Sequence, residues 1–258
     1  MVSIDIPRPD DWHVHLRDDD LLAAVVQYSA QRYRYAMVMP NLRPPIVSVA
    51  QARAYRQRIL DRVPDSGHQF LPLMTLFVAP ALDLDDLRQG VADGVVTAVK
   101  YYPAGATTNA DQAEGALADY DELFEALVEL DVRLLVHAES TDPTVDLFDR
   151  ERVFLERQLA PVCARHPSLG VTVEHISTRA GVAFVEAHPQ AVASITPHHL
   201  ARDRGHLLAD GMRPDLYCKP VINSAADQTA LIAAATSGSP DFFLGTDSAP
   251  HPTTAKYG

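Results

Sequence analysis

The sequence predicts a single (β/α)₈ barrel, and three observations lead there. Short apolar runs recur eight times along its 258 residues, and most are followed by a segment of helical periodicity. That recurrence signals βα units around a parallel sheet. The length suits one such barrel or two ordinary domains, and the 47% of apolar residues can fill a sizeable core. Side chains able to bind metals collect at the C-terminal ends of the runs, the end where barrels of this kind carry their chemistry. No Gly/Ser linker, low-complexity tract or short-period repeat divides the chain, so residues 1–258 are expected to form one domain.

In chain order, the expected strands are DWHVHLR (11–17), YAMVMP (35–40), FLPLMTLFV (70–78), VVTAVKYY (95–102), VRLLVHA (132–138), GVTVEHI (170–176), AVASITP (191–197) and DFFLGTD (241–247). Helices are expected over 20–31, 48–62, 83–92, 119–130, 149–165, 179–187 and 225–236. Segment 119–130 carries the clearest stripe, with Tyr120, Leu123, Phe124, Leu127, Val128 and Leu130 at helical spacing. Strands that each lead into a helix favour a closed barrel over an open doubly wound sheet. Only seven helices can be counted, and the chain stops eleven residues after Asp247, so the eighth helix is expected to be missing and the C-terminal end truncated.

Charge narrows the partners. With 22 basic and 34 acidic side chains the net charge is −12, which repels nucleic-acid phosphates and anionic lipid. Neither nucleic acid nor membrane is therefore an expected partner, and an anionic small-molecule substrate would need a local cationic site. Cys163 and Cys218 form no CxxC and no disulfide framework, which suits a reducing cytoplasm. The N-terminus lacks the basic and apolar regions of a secretory signal, and no uncharged apolar run reaches the ~20 residues of a membrane span. Lysine occurs only at positions 100, 219 and 256, and Lys100 stands out because it ends the apolar run VVTAVKYYP.

The polar strand ends form an ordered set. Strand one ends with His13 and His15, strand four with Lys100, strand five with His137, strand six with His175 and strand eight with Asp247. Side chains alternate along a strand, so His13 and His15 share a face and can share an ion. Barrel closure brings strand eight to strand one, and with it Asp247. Strands four, five and six are neighbours, so Lys100, His137 and His175 can gather at a second position. Imidazole and carboxylate donors without thiolate suit Zn²⁺, Mn²⁺ or Fe²⁺. The lysine fits poorly, since an ammonium has no lone pair and repels a cation. Taken singly, each residue also has an ordinary explanation: histidines satisfied in a cleft, a lysine snorkelling to the surface, Arg17 in a surface salt bridge, Asn41 in turn chemistry. The joint order is what argues for a site.

That order resembles the amidohydrolase superfamily of TIM barrels. The words DWHVHLRD (11–18), VMPNLRPP (38–45), KYYPAGATTN (100–109), LLVHAE (134–139), EHIST (174–178), ITPHHL (195–200) and FLGTDSAPH (243–251) resemble the shorter, monofunctional bacterial dihydroorotases. The resemblance implies two Zn²⁺ per subunit. One is held by His13, His15 and Asp247 and the other by His137 and His175, and the two are bridged by N6-carboxylated Lys100 and a hydroxide. A carbamate is an anionic oxygen donor, which removes the difficulty with lysine. The implied reaction is reversible hydrolysis of the ring amide of (S)-dihydroorotate to N-carbamoyl-L-aspartate, run as ring closure in pyrimidine biosynthesis, with Asp247 as the catalytic proton carrier. Arg17, Asn41 and His251 would bind the substrate carboxylate. His15, Lys219 and Ala249 would add further substrate contacts, and Thr107 and Thr108 would sit on a loop that folds over the substrate. A homodimer is expected.

Lys219 departs from the pattern, because an apolar residue commonly stands there. It is expected in solvent, with added positive charge near the substrate as the alternative. His198 and His199 follow strand seven with no role beyond packing or support of the site, while His68, His166, His188 and His206 read as surface residues. Two other readings stay open: a hydantoinase- or allantoinase-like enzyme on the same metal centre, and an inactive barrel scaffold.

Overall fold

The computed structural model describes residues 5–64, 69–110, 113–209 and 211–257. Among them, eight strands form one sheet in sequence order: β1 (Asp11–Val14), β2 (Tyr35–Val38), β3 (Leu71–Phe77), β4 (Val96–Tyr101), β5 (Arg133–Val136), β6 (Val171–Val173), β7 (Ala191–Ile195) and β8 (Phe242–Leu244). Every neighbouring pair is parallel. The ring closes just beyond β8, through a bridge between Val14 and Ser248. There the Asp247 N–H donates to the His13 carbonyl at 2.9 Å, and the His15 N–H donates to the Ser248 carbonyl at 3.0 Å. The buried Asp11 carboxylate fastens the same seam by accepting from the Thr246 N–H at 2.8 Å and its hydroxyl at 2.6 Å.

The principal helices are α1 (Asp19–Arg32), α2 (Val49–Leu60), α3 (Leu84–Ala92), α4 (Asp121–Leu130), α5 (Arg150–Phe154), α6 (Ala160–Arg165) and α7 (Arg179–Ala187). They begin where the sequence offers caps. The Asp83 carboxylate accepts from two N–H groups opening α3, and Ser48 and Gln51 close a reciprocal capping box on α2. The segment expected as one helix over 149–165 is continuous but contains a π-helical stretch, Leu155–Leu159, between α5 and α6. Pro161 at the start of α6 accounts for it, since a proline lacks the N–H that would bond the carbonyl four residues back. Two short helices that the apolar pattern did not reveal, α8 (Pro197–Ala201) and α9 (Arg204–Leu208), precede α10 (Ala225–Ala235). A five-residue helix, α11 (Thr253–Tyr257), follows β8 where the sequence reading found none. No helix among the described residues is long and apolar enough to cross a membrane.

The main core lies between sheet and helices, with fully buried Leu22, Leu76, Val99, Phe124 and Phe154 in it. A smaller cluster of Met37, Met39, Ala98 and Leu135 packs with Trp12 and Leu73. Ala98 and Leu135 precede Lys100 and His137 by two residues on the same strand faces, so this cluster is the apolar floor under the polar strand ends. β8 is the least covered strand, and its Phe242, Phe243 and Leu244 are only half-buried.

Several strands stop earlier than the apolar runs suggest. β1 ends at Val14, β6 at Val173 and β8 at Leu244. Beyond these ends the backbone leaves the ladder, and Arg17, His175 and Asp247 take positive φ values of 59°, 42° and 46°. Non-glycine residues rarely adopt that region, and such local strain gathers where a side chain must be aimed at a function.

Candidate metal centre

His13 lies within β1 and His15 just past its end, and their Nε2 atoms come to 3.3 Å. The Asp247 carboxylate stands 3.4 Å from the first and 3.2 Å from the second. Donors around a tetrahedral Zn²⁺ with ~2.0–2.1 Å bonds are separated by about 3.3 Å, so the spacing of these three atoms suits one ion. On the opposite side, His137 Nδ1 and His175 Nε2 are 3.0 Å apart. His13, His175 and Asp247 place their donor atoms within 4.8 Å of one another, joining the two groups into one cluster.

Carboxylates behind the imidazoles set their orientation. His13 Nδ1 pairs with Glu174 at 2.6 Å, and His137 Nε2 pairs with Glu139 at 3.0 Å. Each ring thereby turns its other nitrogen toward the cluster, the usual arrangement for metal-binding histidine. Ser194 ties the group together: its hydroxyl donates to Glu174 at 2.5 Å and accepts from the His175 N–H at 2.7 Å.

Lys100 sits among these groups at the end of β4, fully buried, and its Nζ has no hydrogen-bond partner among the described residues. Glu174 Oε1, His175 Nδ1 and the Tyr102 hydroxyl are likewise buried without partners, and the Tyr102 ring centroid lies 5.0 Å from Lys100 Nζ. Buried polar atoms left unpaired are costly, and this concentration around a nitrogen–oxygen donor set fits a centre that binds cations. Burial draws the Lys100 ammonium down to about 8, against the opposing pull of Glu174 and Asp247. A lysine so lowered gives up its proton more readily than a free one and so comes closer to the amine lone pair that an ammonium lacks.

The histidines divide. Burial lowers His15 to about 4 and brings His137 and His175 below the usual imidazole range. Burial also works against charge on His13, but the Glu174 and Asp247 carboxylates outweigh it and raise that group to about 9. For Asp247 burial opposes ionisation, yet the surrounding histidines hold its carboxyl well below the usual range.

Above the cluster lies a cavity of about 410 Å³ whose wall includes His15, Arg17, Asn41, Thr107, Thr108, Lys219, Asp247, Ala249 and His251. All the site residues expected from the sequence are thus brought to one place: those named here line the cavity, and His13, Lys100, His137 and His175 lie beneath it. Arg17 is largely buried, and its guanidinium donates to the Pro250 carbonyl at 3.1 Å and meets His251 Nε2 at 3.2 Å. The Asn41 side chain donates to the Thr108 carbonyl at 2.9 Å, and Asn109 returns a bond to the Asn41 carbonyl at 2.9 Å.

Lys219 differs from the expectation of a solvent-facing side chain. Its ammonium donates to the Ala106 carbonyl at 2.8 Å, clasping the loop that carries Thr107 and Thr108. His166 is also less exposed than expected, pairing with Asp121 at 2.8 Å and packing edge-on against Phe124. His188 stacks on Phe184, His206 is exposed, and His68 lies outside the described residues. His199 is buried, which lowers it to about 3, and its neighbour His198 lines the cavity. Glu139, Glu174, Ser194 and Tyr102 escaped the sequence reading. The two glutamates stood within the words LLVHAE and EHIST, Glu139 two residues from the His137 that it orients and Glu174 next to His175 although it orients His13.

The chain matches the amidohydrolase family over residues 10–257. It is 49% identical over 257 residues to a dihydroorotase of Nitrosococcus oceani, covering 99% of this chain and 74% of that protein. Among solved structures, the dihydroorotase of Campylobacter jejuni superposes with a TM-score of 0.88 at 34% identity, covering 96% of this chain and 71% of that one. The Saccharomyces cerevisiae dihydroorotase in complex with 5-fluoroorotic acid gives a TM-score of 0.89 at 28% identity, covering 99% and 73%. A buried imidazole–carboxylate–lysine cluster at the mouth of a parallel barrel, in a chain this similar to these proteins, belongs to the amidohydrolase family and within it to the dihydroorotases.

Proposed function

We propose that the protein hydrolyses the ring amide of (S)-dihydroorotate to N-carbamoyl-L-aspartate and, in biosynthesis, closes that ring on the way to pyrimidine nucleotides. The observation that carries this reading is one cavity holding both the buried donor cluster and, at its rim, an arginine clamp in a chain of net charge −12. A substrate with a reactive cyclic amide and a separate carboxylate needs both.

His13, His15 and Asp247 would hold one Zn²⁺ and His137 and His175 a second, with Lys100, carboxylated on Nζ, as the shared ligand. Bound there, the ions supply Lewis acidity toward the amide carbonyl and toward the attacking water. The 3.2–3.4 Å spacing of the first three donors and the partnerless Lys100 Nζ support this assignment. Asp247 takes the proton of the attacking water on its carboxylate and returns it to the departing ring nitrogen. Arg17 and His251, already in contact, grip the substrate carboxylate, and Asn41 adds its second amide N–H. Ala249 and His15 complete the wall against the ring. Thr107 and Thr108, held by Asn41 and Lys219, screen the reacting atoms from water. We further infer a homodimer working in the cytoplasm. Twofold assemblies are the commonest kind, and two cysteines outside any disulfide suit a reducing compartment.

The direct test is ring opening of dihydroorotate by protein loaded with zinc in bicarbonate, beside the variant Arg17→Met. Losing a buried charge-assisted contact should lower kcat/KM roughly tenfold to a hundredfold, while bound zinc stays as in the parent. Unchanged turnover would sink the clamp, and loss of zinc would move Arg17 from substrate binding to support of the metal centre.

A further inference from the structure

We propose that His198, His199 and Cys218 form a separate binding site for a borderline or soft divalent cation, such as Zn²⁺ or Cd²⁺, on the wall of the substrate cavity. Their donor atoms lie within 4.8 Å of one another. The two histidines are consecutive on α8, with ring centroids 4.6 Å apart. Cys218 belongs to the stretch that passes in front of them, and both His198 and Cys218 line the cavity, so an ion can reach them from solvent.

The hydrogen bonds show how an ion would enter. Cys218 Sγ and His199 Nε2 both point at the Pro220 carbonyl, at 3.1 Å and 3.2 Å. A carbonyl only accepts, so each of these atoms presents a proton to the same oxygen. His199 Nδ1 then accepts from the Thr196 hydroxyl at 2.7 Å. A cation placed between sulfur and ring nitrogen replaces both protons while keeping the attraction to the carbonyl. The thiol proton is released to solvent. The imidazole proton is not lost, because it reappears on Nδ1, where the Thr196 hydroxyl turns from donor to acceptor. The step is therefore one thiol deprotonation and one change of tautomer, with no other reactant.

The donor types choose the ion. A thiolate with two imidazoles favours Zn²⁺ or Cd²⁺ and disfavours Mg²⁺ and Ca²⁺, which take oxygen ligands. The nearby cluster of His13, His15, Lys100, His137, His175 and Asp247 contains no sulfur, and Cys163, the other thiol, is buried elsewhere in the core. Sulfur coordination is therefore a signature that this site alone can give.

Protein carrying its resident metals should be titrated with Co²⁺ while thiolate-to-cobalt charge-transfer absorption is recorded. The expected result is a band saturating at one ion per chain, absent in Cys218→Ser and requiring roughly tenfold more cobalt or worse in His198→Ala. No such band in the parent protein, or a band that persists in Cys218→Ser, would overturn the proposal. Because the readout is sulfur-specific absorption rather than turnover, it can fail or succeed independently of the dihydroorotase reading.

Discussion

A methyl group added at Gly245 would meet His13 Cβ at 2.8 Å and Ser194 Cβ at 2.9 Å. Both neighbours are committed: His13 to the donor cluster and Ser194 to Glu174 and His175. Gly245→Ala should therefore cost about 1–3 kcal/mol of stability and weaken zinc binding as well, read by thermal melting and by metal content after dialysis. A variant that melts earlier but keeps its zinc would show that the strain is absorbed away from His13. That His13, His15, Lys100, His137, His175 and Asp247 would gather at one end of the barrel was legible in the sequence, because strand periodicity and barrel order fix where each strand end must lie. Glu174, Glu139 and Tyr102 were not, because a side chain's partner and burial are set by how separate strands approach one another. Lys219 was misjudged for the same reason, since its acceptor, Ala106, lies more than a hundred residues away in sequence.

At the scale of elements, α5 reaches across to the turn after β6. Glu151, fully buried, accepts from the N–H and hydroxyl of Ser177, both at 2.7 Å, and from the N–H and hydroxyl of Thr178 at 3.0 and 2.5 Å. Burial outweighs those four donors and raises its carboxyl from 4.5 to about 7. A folded pKa above the unfolded one favours the protonated form in the fold. Its stabilising contribution is thus complete below about pH 4.5 and is lost as pH rises through about 7. The shift corresponds to something on the order of 3 kcal/mol. Melting of the parent and of Glu151→Gln should differ more, to the parent's disadvantage, at about pH 8 than at about pH 5. A difference that does not change with pH would mean that Glu151 is ionised throughout.

The loop above the cavity belongs to the same scale. In Lys219→Met the Ala106 carbonyl loses its donor, so the Thr107–Thr108 loop should exchange its amide hydrogens faster, and KM for dihydroorotate should rise roughly twofold to tenfold. Slower exchange, or none of the expected rise, would count against the clasp. Helices with regular stripes, such as α4 and α7, were readable to within two residues. Strand ends were not, since the apolar run continues past the point where the backbone turns to aim a side chain. α8 and α9 are too short to show a period.

For the whole molecule, closure depends on a narrow seam. Among the described residues a single bridge joins the first strand to the segment just past the last, and the Asp11 carboxylate holds Thr246 beside it. Asp11→Ala would leave the Thr246 N–H without its acceptor and its hydroxyl with only the longer contact to the His13 carbonyl at 3.3 Å, at a cost of about 1–3 kcal/mol. It would also release the segment that carries Asp247. Lower melting temperature together with weaker zinc retention is the expected outcome, and full zinc retention would show that the seam holds without Asp11. The barrel architecture was legible from the sequence because eight runs and their helices are local features. The meeting of strands eight and one followed from closure, but the Asp11–Thr246 fastening was not legible, because it joins side chain and backbone more than two hundred residues apart.

That seam also orders events on the ribosome. His13 and His15 emerge more than two hundred residues before Asp247. At ordinary rates of synthesis that interval is roughly ten to fifty seconds. Throughout it the paired imidazoles are exposed on a nascent chain with neither their carboxylate nor a closed barrel around them. Loading of an ion held by His13, His15 and Asp247 would therefore wait until Asp247 has been made and the barrel has closed around it.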